Sequence, residues 1–404
     1  MSLGRDGEIG MVNSNRVEPR VAASAMAVPT SRLREIAEMA MKMDGVLKLY
    51  FGESNIPTAP YIKQAAIKAM DDGYTVYTPN AGLMSTREAI AAYYFRMHGV
   101  TLDPASEIVM TAGGLQALNV AIRCVLDPGD EAIVITPAFP DASSIVVMAN
   151  AKLVEIAHPL MGNRYGFDFE KLERAVTART KLLVYTSPSN PLGWVATVAE
   201  QQQILEFARR HGLWLLADEV YERLCYDVPV VPSILRLATR DDAVMVAQSF
   251  SKTYCMTGWR VGWLVARRDV AARATQLNEF IICNAPSIAQ RACETALADG
   301  EDAVHALVEQ LKKNRDFCLG ALASIPGLTV PQSNGAFYLF PKVEGLTDSL
   351  AFCKRFLLER KVGLAPGAAF GVGGEGSVRI SYASEMSVLE PAMERFATFM
   401  RGWR

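Results

Sequence analysis

An α/β fold, with a mostly parallel sheet covered by helices on both faces and a smaller α+β unit after it, is predicted by three features of this sequence. Short apolar runs of strand length alternate with amphipathic helical stretches between residues 107 and 266. Near residue 290 the pattern changes to one long helical stretch followed by short strands. Half of the 404 residues are hydrophobic, enough for one large or two smaller cores.

The first thirty residues show no hydrophobic period and read as an arm. Ser31 is placed to cap a helix over Arg32–Met43, with Arg34, Glu35 and Glu38 on its solvated side. Strands are predicted over Glu107–Thr111, Glu131–Thr136, Lys181–Thr186, Leu213–Ala217, Ala243–Gln248 and Val261–Ala266. Several are unbroken apolar runs, as strands buried on both faces must be. Helices fall between them; in Leu115–Val125, Leu118, Ile122 and Val125 share one face. After residue 290 come a helix over Ala292–Ser324, strands around Gly335–Pro341 and Ser377–Ser381, and a helix between these strands.

Composition narrows the function classes. A formal net charge of −2 without a basic run argues against nucleic acid. No apolar stretch has the length of a membrane span, and the acidic residues Asp6, Glu8 and Glu18 sit where a leader peptide would need an apolar segment. Seven cysteines without a C-x-x-C pair and four scattered histidines give neither a disulfide framework nor a metal site, so the expected setting is the cytoplasm. His98, His158, His211 and His305 read as core or solvated residues, and Trp259 and Trp263 as packing for a turn and a strand.

In open α/β sheets, ligands gather at the carboxyl ends of strands. Asp218 ends one predicted strand in LLADEVY, Asn190 follows another in YTSPSNPLG, and Gly113-Gly114-Leu115 follow a third, directly before a helix. Phe139 follows a fourth in TPAFPD; Ser249, Ser251 and Lys252 follow a fifth in QSFSKTYCMTGWRVG. Singly, each is ordinary turn or cap chemistry. Jointly they supply what an aromatic aldehyde with a phosphate tail needs. A glycine-opened helix N-terminus, Ser249, Ser251 and Arg260 can hold the phosphate. Asp218 can keep a ring nitrogen protonated, Phe139 can stack on the ring, Asn190 and Tyr221 can bond a ring hydroxyl, and Lys252 can condense with the aldehyde.

The arrangement resembles the fold-type I pyridoxal-phosphate enzymes, specifically the class I/II aminotransferases related to aspartate aminotransferase. The resemblance runs from about Ser31 to the C-terminus through YFGESNIPTAP, YTPNAGLMSTRE, TAGGLQAL, DPGDEAIVITPAF, SPSNPLG, ADEVYE, SFSKTYCMTGWRVGW, NGAFYLF and VRISYA. It implies a large domain with a mostly parallel, seven-stranded type of sheet between helices, and a smaller α+β domain. The arm is then 1–30, the N-terminal part of the small domain 31–60, the large domain 61–290 and the C-terminal part of the small domain 291–404.

Carried over residue by residue, the resemblance implies Lys252 as the Schiff-base lysine and proton shuttle, with Asp218 and Tyr221 beside it in the catalytic set. Pyridoxal phosphate would be held by Gly114 and Leu115 backbone N–H groups, Phe139, Asn190, Asp218, Tyr221, Ser249, Ser251, Lys252, Arg260 and Tyr77, the last reaching a neighbouring subunit's site in a homodimer. Arg379 would grip the substrate α-carboxylate with Gly52 and Asn190. Leu115, Leu192 and Phe139 depart from the hydroxyl residue, threonine and tyrosine often found at these positions. The expected reaction is ping-pong transfer of an amino group between an α-amino acid and a 2-oxo acid, with the lysine amine less basic than usual. A lyase or synthase on the same scaffold, a ligand sensor and a cofactor-free scaffold remain as alternatives. Ile56, Tyr61, Asn80 and Asn284 are candidates for the side-chain pocket, none assigned.

Overall fold

In the computed structural model, which describes residues 20–403, seven strands form the central sheet: β1 (Ile108–Thr111), β2 (Glu131–Thr136), β3 (Lys152–Ala157), β4 (Thr180–Thr186), β5 (Trp214–Asp218), β6 (Val244–Ser249) and β7 (Gly262–Ala266). Their order is β1-β7-β6-β5-β4-β2-β3, and only β7 runs against the rest. All six predicted strands are present. The seventh, β3, went unpredicted because its sequence KLVEIA carries Lys152 and Glu155. It is one of the two edge strands and is only half-buried, so charges are tolerated there. Lys152 pairs with Glu131 of β2 at 3.0 Å.

Alternate residues of the strands feed two separate cores. Val109, Ala132, Val134, Leu182, Val184, Leu216, Met245 and Leu264 pack on one face, while Ile108, Ile133, Ile135, Leu183, Leu215, Val246 and Val265 pack on the other. Both faces are therefore dry, and the functional groups are left to the strand ends.

The remaining elements correct several expectations. Residues 1–19 of the predicted arm lie outside the described residues, and 20–30 contain a short helix, Ala23–Met26. The helix capped by Ser31, whose Oγ accepts from the Arg34 N–H at 3.2 Å, is α1 (Arg32–Met41) and ends before the predicted Met43. The long helix predicted over Ala292–Ser324 is two helices, Ser287–Asp299 and Glu301–Ala323. They part at Gly300, where a Cβ would lie 2.2 Å from the Ala296 carbonyl oxygen and 2.7 Å from the Tyr254 ring. Glu301 starts the second helix fastened to buried Arg223 by two bonds of 2.9 and 2.6 Å.

In the C-terminal part, Val378–Ser381 pairs with Tyr338–Leu339 on one side and Ala365–Pro366 on the other. Near the N-terminus, Leu47–Lys48 pairs with Val362–Gly363, which ties the two ends of the chain together. His98 and His158 are buried. His98 bonds Glu222 at 3.0 Å, a partner that sequence spacing did not show, and His158 packs between Phe167 and Trp194. Trp263 packs on Phe250, and Trp259 donates to Thr58 at 3.0 Å.

Candidate active site

A cavity of about 450 Å³ opens over the carboxyl ends of the strands. Its walls bring together Gly52, Gly114, Leu115, Phe139, Asn190, Asp218, Tyr221, Ser249, Ser251, Lys252 and Arg260, residues spread over two hundred positions of sequence. Strand ends do this: Asp218 closes β5, Ser249 closes β6, and Asn190 lies in the loop after β4.

Lys252 sits on the one-turn helix α2 (Phe250–Thr253), whose cap is Ser249; its Oγ accepts from the Ser251 N–H at 3.1 Å and lies 2.8 Å from the Ser251 hydroxyl. The lysine Nζ donates to the Gly52 carbonyl oxygen. Burial lowers the proton affinity of this amine to about 8 and the charge of Arg379 adds to the effect, while Glu53, Asp141 and Asp218 oppose it. Asp218 is pushed up to about 7, first by burial and then by the charge of Asp141; the Val220 N–H, donating at 3.3 Å, and Lys252 act the other way.

Gly113, at φ +91°, opens the helix Gly114–Val125, which has no side-chain cap. Among the described residues the N–H groups of Gly114 and Leu115 have no backbone acceptor. These are the free donors of a helix start, facing the cavity beside Ser249, Ser251 and Arg260. Arg260 donates to the carbonyls of Thr257 (2.8 Å) and Ala112 (3.3 Å), and a Cβ on Gly113 would lie 2.5 Å from its guanidinium. Orphan donors and a cation at one end, and a buried carboxyl group across from an amine at the other, fit a phosphate-tailed pyridine aldehyde.

Behind the cavity, Arg379 is buried at 1% exposure. It donates to Asn190 Oδ1 at 2.8 Å and to the Tyr50 carbonyl oxygen, and its guanidinium stacks 4.5 Å from the Tyr338 ring centre. Its Nε is buried without a partner among the described residues. Tyr221 shares a hydrogen bond of 2.9 Å with Tyr338, and Asn190 Nδ2 reaches the Tyr221 hydroxyl at 3.5 Å.

Tyr77 is 83% exposed and lies off this cavity. Ile56 and Tyr61 line a separate apolar cleft under Cys255, and Asn80 and Asn284 do not line the main cavity. Sequence reasoning also passed over Glu53, Asp141, Thr186 and Tyr338. Asp141 was within reach of the same argument, since it lies two residues after Phe139 beyond the same strand end; Tyr338 was not, because it comes from a strand far along the chain.

A lysine and an aspartate lining one cavity at the strand ends, beside the free N–H groups of a helix start, are the groups a fold-type I pyridoxal-phosphate enzyme needs. The chain belongs to the aminotransferase class I and II family, whose sequence profile matches residues 45–396. It is 34% identical to an aspartate aminotransferase of Pyrococcus horikoshii, over 95% of this chain and 97% of that protein. Aromatic-amino-acid aminotransferase 2 of Thermococcus litoralis is 33% identical, over 93% and 96% of the two chains. The solved structure of a single mutant of Thermus thermophilus aspartate aminotransferase superposes with a TM-score of 0.88 at 31% identity, covering 94% of this chain and 99% of that one. The protein is thus a pyridoxal-phosphate-dependent transaminase, and the lyase, sensor and scaffold readings give way. Among the described residues no helix is long and apolar enough to cross a membrane.

Proposed function

We propose that this transaminase exchanges the amino group of an α-amino acid for the oxo group of a 2-oxo acid, with Lys252 as the proton carrier. The observation that carries this reading is the position of the Lys252 amine, in one cavity with Asp218, bonded to Gly52 and electrostatically coupled to Arg379. Bound pyridoxal phosphate would supply the aldehyde carbon and an electron-accepting ring. Asp218 would hold the ring nitrogen's proton, Phe139 would stack on the ring, and Tyr221 with Asn190 would bond the ring oxygen. Gly114, Leu115, Ser249, Ser251 and Arg260 would hold the phosphate. Arg379 would take the substrate carboxylate, its geometry already set by Asn190 and the Tyr50 carbonyl. An amine whose proton affinity is near neutral can accept the substrate's Cα proton and return it to the neighbouring carbon without a large barrier.

The parallel pairing of Leu47–Lys48 with Val362–Gly363 supports a small domain built from 31–60 and 291–404 around a large domain of 61–290. Exposed Tyr77, next to Val76 at 71% exposure, supports a homodimer in which Tyr77 reaches the other subunit's phosphate site. Seven free cysteines support a cytoplasmic setting. The test is a half-reaction. One amino acid added without an oxo acid should convert the cofactor stoichiometrically to its amine form, release one equivalent of 2-oxo acid, and stop. Continuous ammonia release would overturn the reading, and a panel of alanine, aspartate, glutamate, aromatic and branched donors ranks the substrates. For the dimer, mixing Tyr77→Ala chains with Lys252→Ala chains should give heterodimers with one intact composite site and so raise activity on subunit exchange; no gain would exclude a shared site.

A further inference from the structure

Tyr338 has no task in the mechanism above, yet it touches three groups that do. On the strand Tyr338–Leu339 it is the register partner of Ser381, so Arg379, two residues before Ser381, is its diagonal neighbour on the same face of the small sheet. The Arg379 guanidinium accordingly stands 4.5 Å from the centre of the Tyr338 ring, and 4.9 Å from that of Phe370. The Tyr338 hydroxyl lies 2.9 Å from the Tyr221 hydroxyl; a Cβ on Gly52, whose carbonyl holds Lys252, would lie 2.9 Å from it as well. The side chain is buried, and Ser333 Oγ donates to the Tyr338 main-chain carbonyl at 2.9 Å, so ring and backbone are both held. Tyr338 is not part of the cavity wall, and among the described residues Tyr221 is the one hydrogen-bond partner of its hydroxyl.

We propose that Tyr338 is a positioning residue that donates its phenol proton to Tyr221, turning the O–H of Tyr221 into the cavity, and that carries the Arg379 guanidinium on its ring. The inference rests on Tyr221 bonding the cofactor's ring oxygen. Each phenol has one proton to give. Burial pushes Tyr338 up to about 12 and Tyr221 well above the usual phenol range, so both are neutral at pH 7. Asn190 offers Tyr221 only its Nδ2, itself a donor, at 3.5 Å, because Arg379 holds the Oδ1. When Tyr221 gives its proton to the ring oxygen, the contact between the two phenols is therefore made by the Tyr338 proton. A hydroxyl that accepts a hydrogen bond is the stronger donor, so Tyr338 strengthens the bond from Tyr221 to an anionic ring oxygen. The face of the same ring meets the cation that takes the substrate carboxylate. One side chain behind the cavity thus fixes the ring-oxygen partner and the carboxylate clamp together.

Tyr338→Phe keeps the ring and deletes the hydroxyl, whereas Tyr338→Leu deletes both. The first readout is the pH midpoint of the holoenzyme's visible absorbance, which follows the proton shared by the lysine-bound nitrogen and the ring oxygen. Donation by Tyr221 favours the oxygen anion, so weakening it moves the midpoint up, by about half a pH unit in both Tyr338 variants and by about one to two in Tyr221→Phe. The second readout is inhibition by the 2-hydroxy acid that shares the best donor's side chain, a ligand with the carboxylate but no amine. Tyr338→Phe should bind it within about twofold of the parent, and Tyr338→Leu roughly tenfold more weakly. An unchanged midpoint in Tyr338→Phe, with that of Tyr221→Phe still shifted, would overturn the proton donation alone. An unchanged midpoint in Tyr221→Phe would overturn the reading of Tyr221 beneath it. Equal inhibitor affinity in Tyr338→Phe and Tyr338→Leu would refute the support of Arg379 by the ring.

Discussion

Replacing Lys252 by methionine should make the cofactor-free protein more stable at neutral pH while removing its activity. The amine's proton affinity falls from 10.5 to about 8 on folding, chiefly because burial disfavours the ammonium. At 1.36 kcal/mol per tenfold change, holding the charged lysine in the fold at pH 7 costs up to about 3 kcal/mol. Partial exposure to the cavity and loss of the bond to Gly52 reduce the net gain for methionine to about 1–2 kcal/mol. The folded amine binds its proton less tightly than the unfolded one, so the penalty is complete below pH 8 and fades as pH rises to 10.5. Urea unfolding of both cofactor-free proteins at pH 7 and pH 10 measures this directly. A Lys252→Met protein no more stable than the parent at pH 7, or an advantage equally large at pH 10, would refute the argument that burial depresses this amine.

Arg379→Lys loses the fork that serves Asn190 and Tyr50 together, so kcat/KM for α-amino acids should fall roughly 100-fold, from about 3 kcal/mol of charge-assisted bonding. Half-reaction with a simple amine lacking a carboxylate should change far less, and equal losses would contradict the assignment. Gly262→Ala puts a Cβ 2.5 Å from the Gln248 carbonyl oxygen and 2.8 Å from Gly113, backbone that cannot move aside. A loss of about 3 kcal/mol or more is expected in chemical unfolding, with weakened cofactor retention. Gly258→Ala, with nothing within 4 Å of its Cβ, is the control and should unfold near the parent's midpoint.

The large sheet was legible because strands buried on both faces must be written as apolar runs; β3 was not, because it is only half-buried and free of that constraint, unlike the buried edge strand β1. Lys252, Asp218 and Asn190 could be found in the sequence because each stands at or just after a strand end. Arg379 lies within a strand and carries no such mark; only the resemblance pointed to it. Its clamp depends on Asn190, Tyr50 and Tyr338, which tertiary packing brings together from distant positions. The break at Gly300 was hidden for the opposite reason. Helical periodicity runs on through it, and only contact with Tyr254 shows why a side chain cannot fit. Tyr77 is exposed and does not line this chain's own cavity.

The antiparallel β7 has a consequence for how such an enzyme can diversify. Because Ser249 and Gly262 are register partners, the residues between them form a closed loop whose two ends are locked to each other. Lys252 and Arg260 both hang from that loop, so the proposed Schiff-base amine and the proposed phosphate-binding cation share one covalent frame. The Gly52 segment and the Tyr338 strand, by contrast, approach the cavity from distant parts of the chain. Mutational drift in those walls can retune which side chains are admitted while the loop keeps amine and phosphate at a fixed spacing. Laboratory evolution of new substrate range should therefore concentrate its accepted changes outside residues 249–262, and a library confined to that loop should yield mostly inactive protein.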